Sequence, residues 1–267
     1  MVEDDHYIAN PSNAHIDTST FEEYACKQLT ASAINDAALE SIYDFIISCT
    51  NKQPQEPADC QLICRYLSAD KFLRFLHTRS IYFPSATQFS DARECRIPED
   101  YEAAMSGVLQ RLGFHADDWV NLVRRRAAAW KISCWTLLDD YFDDHLMWNA
   151  YAGGAHGVGI TVRYGILRDS LAKSIEQFAV DGKLHSGSVS YKNLCILPFN
   201  KHAMFRNEKE ARFAFRASKA DGLPVSVGDI LGSFGIRISP DATMEHRDMI
   251  RDLWLKYGGE DRLQWPE

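Results

Sequence analysis

Short apolar runs of strand character recur along this chain, and the helices between them differ in length. Strand-like runs lie at residues 61–67, 80–84, 131–137, 156–163, 187–191, 211–217 and 232–238. In 156–163 the alternation of Val158, Ile160 and Val162 has the period of a half-buried strand. Helical patterns fill 69–78, 99–112, 116–129, 143–151 and 166–178, and Pro240 is expected to open the last helix. Ser68 caps 69–78, whose Phe72, Leu73, Phe75 and Leu76 should turn inward, and Pro84 ends the second strand. Ile250, Leu253, Trp254 and Tyr257 form a buried stripe on the last helix. A doubly wound sheet needs regular strand–helix alternation, and that is missing. The pattern predicts an α+β fold: a mixed, mostly antiparallel split sheet flanked by helices, with an N-terminal helical extension.

That extension comes first in the chain. Residues 1–18 are polar and aperiodic, which predicts a loose tail. Ser19 or Thr20 can cap a first helix with Glu22 and Glu23 in its first turn, and Asn35 can cap a second carrying Leu39, Ile42, Phe45 and Ile46. Residues 51–59 hold Pro54 and Pro57 among polar residues and read as a linker or a long loop. The expected organisation is a tail and two helices over 1–58 and a main domain over 59–267.

Composition narrows the class. Hydrophobic residues at 46% and charged residues at 25% are ordinary for a folded domain and exclude a disordered chain. A net charge of -8 argues against a generic nucleic-acid binder, which needs basic surface to displace counterions. The seven cysteines contain no Cys-x-x-Cys pair. Cys60 and Cys64 have no following partners at zinc spacing, so free thiols in a reducing cytoplasm are expected, with Cys134 in the core. The start is acidic with no apolar stretch behind it, and no apolar run reaches membrane-spanning length. The expected location is cytoplasmic.

Familiar catalytic signatures are absent: there is no Gly-x4-Gly-Lys-Ser/Thr loop, no Gly-x-Ser-x-Gly and no His-Glu-x-x-His. The glycines of 153–159 precede a strand, whereas a phosphate cradle follows one, so they read as a turn. His156, His185 and His202 share no ligand spacing, and no metal site is expected from them. Arg124, Arg125 and Arg126 read first as a solvated helix face and second as a contact for phosphate or an acidic partner.

Several polar and aromatic residues stand out. Arg65 lies mid-strand among apolar neighbours and must find partners for its guanidinium. A salt bridge to Asp91, Glu94 or Glu210 is one reading, and a clamp on an anion such as pyrophosphate is the other. Ser133 and Trp135 share a strand. Trp148 and Tyr151 are spaced to share a helix face, as core or as a slot for a flat ring. Glu208 and Glu210 flank Lys209 and would point to one side if that stretch is extended.

Four segments in order resemble a bacterial family catalogued as domain of unknown function 2971. They are 64–68 with the following helix and 81–83, then 88–94, then 132–135 leading to 147–151 and 157–160, and finally 205–213. The family usually reads Asn-Asp-Pro-x-Glu where this chain has Ser90-Asp-Ala-Arg-Glu94. The order Arg65, Ser133, then Glu208 and Glu210 is also similar to the arginine-serine-glutamate pattern of ADP-ribosyltransferases, which commonly have Ser-Thr-Ser where Ser133-Cys-Trp stands here.

That resemblance implies NAD as the substrate of a transferase or glycohydrolase of the toxin-like or defence-effector kind, and it names no cofactor besides NAD as substrate. Arg65 would steady the dinucleotide, Ser133 orient the nicotinamide ribose, Glu210 stabilise an oxocarbenium-like transition state, and Glu208 act on the acceptor. Tyr82 or Trp135 would stack on the nicotinamide. A second reading is a module that binds a nucleotide, or a protein partner through residues 1–58, without chemistry. A third is a metal-dependent nuclease built on Asp91, Glu94 and the 208/210 pair.

Overall fold

The computed structural model describes residues 23–27, 36–50, 54–91, 95, 99–111, 115–139, 144–191, 198–219 and 221–259. The caps expected at Ser19, Thr20 and Asn35, and residue Glu94, lie outside them. Within the described residues the fold is α+β. Six strands form one antiparallel sheet: β1 Leu62–Leu67, β3 Trp130–Leu137, β4 Val158–Arg163, β5 His185–Ser188, β8 Glu210–Arg216 and β10 Gly235–Ile238. Their spatial order is β10-β4-β1-β3-β8-β5. A separate antiparallel ribbon pairs β2 Ser80–Phe83 with β9 Leu223–Ser226, and β6 Ser190–Tyr191 runs parallel to β7 Asn200–Lys201. Strand β9 escaped the sequence reading because Pro224 sits inside it; a proline is tolerated in such a two-stranded ribbon.

The sheet is split, and the register shows where. Strand β1 pairs with β4 over all of Leu62–Leu67 but with β3 only at Ile63↔Leu137 and Cys64↔Thr136. Beyond Cys64 the two strands part. The vacated edge of β3 is taken by the chain after β2: the Ile132 N–H donates to the Pro84 carbonyl (3.0 Å), and Ser85 bridges to Lys131.

The main core lies on the face carrying Ile63, Leu67, Val158, Ile160, Val162, Phe213 and Phe215. Helices α2 Ala69–Thr78, α5 Tyr164–Ile175 and α6 Met244–Lys256 cover it with Phe72, Phe75, Leu167, Leu171, Ile250 and Trp254. Each such side chain contributes about 1.5–3 kcal/mol when fully buried. Leu73, expected inside, is 39% exposed. Helix α6 starts later than expected: Pro240 lies in a turn closed by the Ala242 N–H on the Ser239 carbonyl, and Thr243 is the cap, accepting from the His246 N–H.

A second core joins the N-terminal extension to the helices that follow β2. Helix α1 Asp36–Thr50 packs Leu39, Ile42 and Tyr43 against Met105, Val108 and Leu109 of α3 Glu99–Arg111 and Trp119 and Leu122 of α4 Ala116–Ala129. Arg126, expected in solvent, pairs with Glu40 and Asp44 of α1 and lies over the Tyr43 ring. A boundary at 58/59 therefore cuts through a shared core, and removing α1 would uncover Trp119. Residues 54–59 run as a loop strapped to the sheet edge. The Gln55 carbonyl accepts from the Ser188 N–H (2.8 Å), Glu56 accepts from Ser186 Oγ (3.1 Å), and Asp59 and Glu56 both hold Arg168. The strap covers the edge of β5, which would otherwise offer unpaired backbone groups.

Candidate functional site

A cleft of about 950 Å³ occupies the place where β1 and β3 part. Because it reaches into the split, side chains from both faces of the sheet line it. Arg65, Trp135 and Ile160 belong to one face; Cys134, Thr136 and Glu210 belong to the other. Tyr82 and Tyr151, 43% and 44% exposed, stand in its wall.

Arg65 is held by neutral oxygens. Its Nη1 donates to Ser133 Oγ (2.8 Å) and its Nη2 to the Tyr82 carbonyl (2.9 Å). Ser133 is fully buried and also accepts from the Trp135 indole N–H (3.0 Å), so its hydroxyl is fixed from two sides. A guanidinium carries five N–H donors. No carboxylate among the described residues forms an ion pair with this one. The bridges expected to Asp91 and Glu210 are not made, and Glu94 lies outside the described residues. Burial without a counter-charge pushes the Arg65 pKa down to about 10. Arg65 and Ser133 share a face because the pairing that ends at Cys64↔Thr136 leaves both on the same side of the pleat.

The carboxylates stand in a different setting. Glu208 and Glu210 do not lie on an extended stretch. Glu208 ends the 3-10 helix Ala203–Glu208, Lys209 is left-handed at φ 44°, and Glu210 begins β8. They converge through Lys201, whose Nζ lies 2.6 Å from Glu208 Oε2 and 3.5 Å from Glu210 Oε2. Arg212, with no exposed surface, donates from Nε (3.1 Å) and Nη2 (2.8 Å) to Glu210 Oε2 and from Nη1 to the Pro198 carbonyl. Burial pushes the Glu210 carboxyl up, but Arg212 and Lys201 outweigh it and the net pKa is below the ordinary value. Lys201 is shifted up: burial opposes its charge, and Glu210 and Glu208 more than offset that. Glu208 also accepts from the Tyr151 hydroxyl (2.8 Å). Burial and these carboxylates raise the Tyr151 phenol, so it stays a donor.

Register separates the expected triad. Thr136 pairs with Glu210 and Cys64 with Thr136, so Glu210 faces away from the side that carries Arg65 and Ser133. All three are near the cleft, but only Arg65 and Ser133 touch. Trp148 is not in the cleft. It is 1% exposed and packs edge-on against Tyr66 (4.9 Å) beside Met147 and Cys64. Residues 148–152 wind as a π-helix, whose wider turn takes Trp148 and Tyr151 off a common face. Asp91 lines the cleft beside Ser90. Gly153 and Gly154, both at positive φ, end that helix and lead into β4, which fits a turn rather than a phosphate cradle.

Sequence reasoning missed Lys201 and Arg212. Lys201 sits on a strand of two residues, too short to carry a period. Arg212 had a usable signal, since Glu210 and Arg212 alternate on β8 and must share a face. Among the described residues no three His, Cys, Asp or Glu side chains are grouped to hold a metal ion, and no helix is long and apolar enough to cross a membrane. Comparison with protein-family models, curated proteins and solved structures returns no match for this chain.

Proposed function

We propose that the cleft binds a phosphate-bearing nucleotide of the NAD type, with Arg65 as the anion clamp. The observation that supports this is a half-buried guanidinium in a cleft wall, fixed by Ser133 and the Tyr82 carbonyl and unneutralised by any described carboxylate. A cation in that state gains from an anionic ligand, because the cost of its burial is already met by the fold. Tyr82 and Tyr151 offer exposed rings for a base or a nicotinamide. The cleft volume suits a ligand of that size.

Cleavage of the glycosidic bond is a second reading, favoured by Glu208 and Glu210 lining the same cleft. In that reaction the C–N bond breaks with its electron pair leaving on nicotinamide, water adds to the ribosyl carbon, and one proton is released. The departing nicotinamide needs no proton, so a carboxylate that stays ionised is suited to it. Among the described residues, however, the two carboxylates are already paired with Lys201 and Arg212. The cluster offers acceptors for ribose hydroxyls more than a field for an oxocarbenium ion. Binding is therefore the primary reading.

Calorimetric titration with NAD tests it. Saturable binding weakened about tenfold or more in Arg65→Ala is expected. No binding at millimolar NAD, or equal affinity in wild type and variant, would sink the assignment. Nicotinamide release measured in the same samples separates binding from cleavage.

A further inference from the structure

Helix α2 turns a charged face to the same cleft. Lys71, Arg74, Phe75 and Thr78 line it at the i, i+3, i+4, i+7 spacing of one helical stripe. Lys71 and Arg74 are exposed and form no ion pair with a carboxylate among the described residues. The acid nearest in sequence, Asp70, is engaged at the helix start, where it accepts from Ser68 Oγ (2.5 Å), a bond that lowers its pKa. Only Ser68 separates α2 from β1, so Arg65 and this pair belong to one continuous stretch of chain. Within that stretch the cleft has three cations, one half-buried and two exposed. The other ionic groups lining the cleft are Asp91, which is engaged in an interaction of its own, and Glu208, Glu210 and Lys201, which are paired with one another or with Arg212.

Resting on the nucleotide reading above, we infer that Lys71 and Arg74 form a second anion subsite, which selects nucleotides carrying a phosphate beyond the diphosphate held at Arg65. A diphosphate seated on Arg65 alone leaves these two cations without a bound anion. A further phosphate gives them one, as a phosphomonoester on a dinucleotide ribose or as the end of a triphosphate chain. Two charge-assisted contacts at an exposed rim are screened by salt, and the selectivity they confer is largest at low ionic strength.

The experiment is calorimetric titration of the full chain with NAD, NADP, ADP and ATP at low salt, in wild type, Lys71→Gln/Arg74→Gln and Arg65→Ala. Wild type is expected to bind NADP over NAD, or ATP over ADP, by roughly tenfold. The pair that shows the preference identifies which phosphate is read. In the double variant the ratio should collapse to about one, while Arg65→Ala weakens all four ligands. A thermal melt of the double variant matching wild type excludes a folding defect. Binding without preference, or a preference that survives the double substitution, overturns this inference and leaves the nucleotide assignment standing. Failure of all four ligands to bind removes both.

Discussion

Arg65 on β1 and Arg212 on β8 occupy one sheet, and their surroundings are opposite. Arg212 is sealed from solvent and spends its guanidinium on Glu210 and the Pro198 carbonyl. Arg65 is half-buried in a cleft wall and, among the described residues, bonds to a serine hydroxyl and a backbone carbonyl. Among the described residues the first arginine pairs with a carboxylate in a cluster with Glu208 and Lys201, and the second pairs with none. A buried, paired ion cluster is a structural commitment, because breaking it strands a charge in low dielectric. An unbalanced cation at a cavity wall costs stability and is useful only with a ligand. The pair shows that residue type and strand position do not fix whether an arginine meets a counter-charge.

That contrast can be broken in four ways. Arg212→Met should have the largest effect, since it strips Glu210 of its guanidinium partner: a loss of about 3–5 kcal/mol in urea unfolding is expected. A variant as stable as wild type would mean that the cluster is not a structural unit. Arg65→Ala should do the reverse, leaving the melt within a few degrees of wild type while costing about 1.5–3 kcal/mol of nucleotide affinity. An unfolded Arg65→Ala protein would place Arg65 with Arg212 as structural.

The third way uses acid. The folded Glu210 pKa lies below its ordinary value, so its contribution is present at neutral pH and is lost as pH falls through that lowered value. Chemical denaturation from pH 7 to pH 3 should show a shallower acid loss in Glu210→Gln than in wild type, on top of a lower starting stability. Parallel acid limbs would count against the ion cluster. The smallest effect belongs to Lys131, buried in β3 with its pKa pushed down to about 8 by burial. Its folded pKa is below the unfolded value, so the protonated side chain costs stability below pH 8 and the cost fades as pH rises toward 10.5. Lys131→Met gives up the Nζ bond to the Ala128 carbonyl together with the charge cost, so its stability should fall relative to wild type as pH rises from 8 toward 10.5. A difference independent of pH would point to packing rather than charge.

Local chemistry made much of the architecture legible. The Val158, Ile160, Val162 alternation became β4, Ser68 preceded α2, and the stripe of Ile250 and Trp254 is buried on α6. The site was only partly legible. Arg65 stood out because a lone arginine in an apolar strand demands partners, and it touches Ser133. Trp148 and Tyr151 were misleading because a π-turn cannot be read from spacing that assumes an α-helix. Glu210 was misplaced relative to Arg65 because register decides faces, and register depends on strands far apart in sequence.

The sequence by itself determined the α+β class, the order of most elements and the residues whose burial needs partners, because hydrophobic period, caps and prolines act over a few neighbours. Only the tertiary structure decided that β1 and β3 part after Cys64, that Lys201 joins Glu208 to Glu210, and that α1 shares its core with α3 and α4. Those outcomes depend on which distant groups meet and which charges cancel, and no local period encodes that.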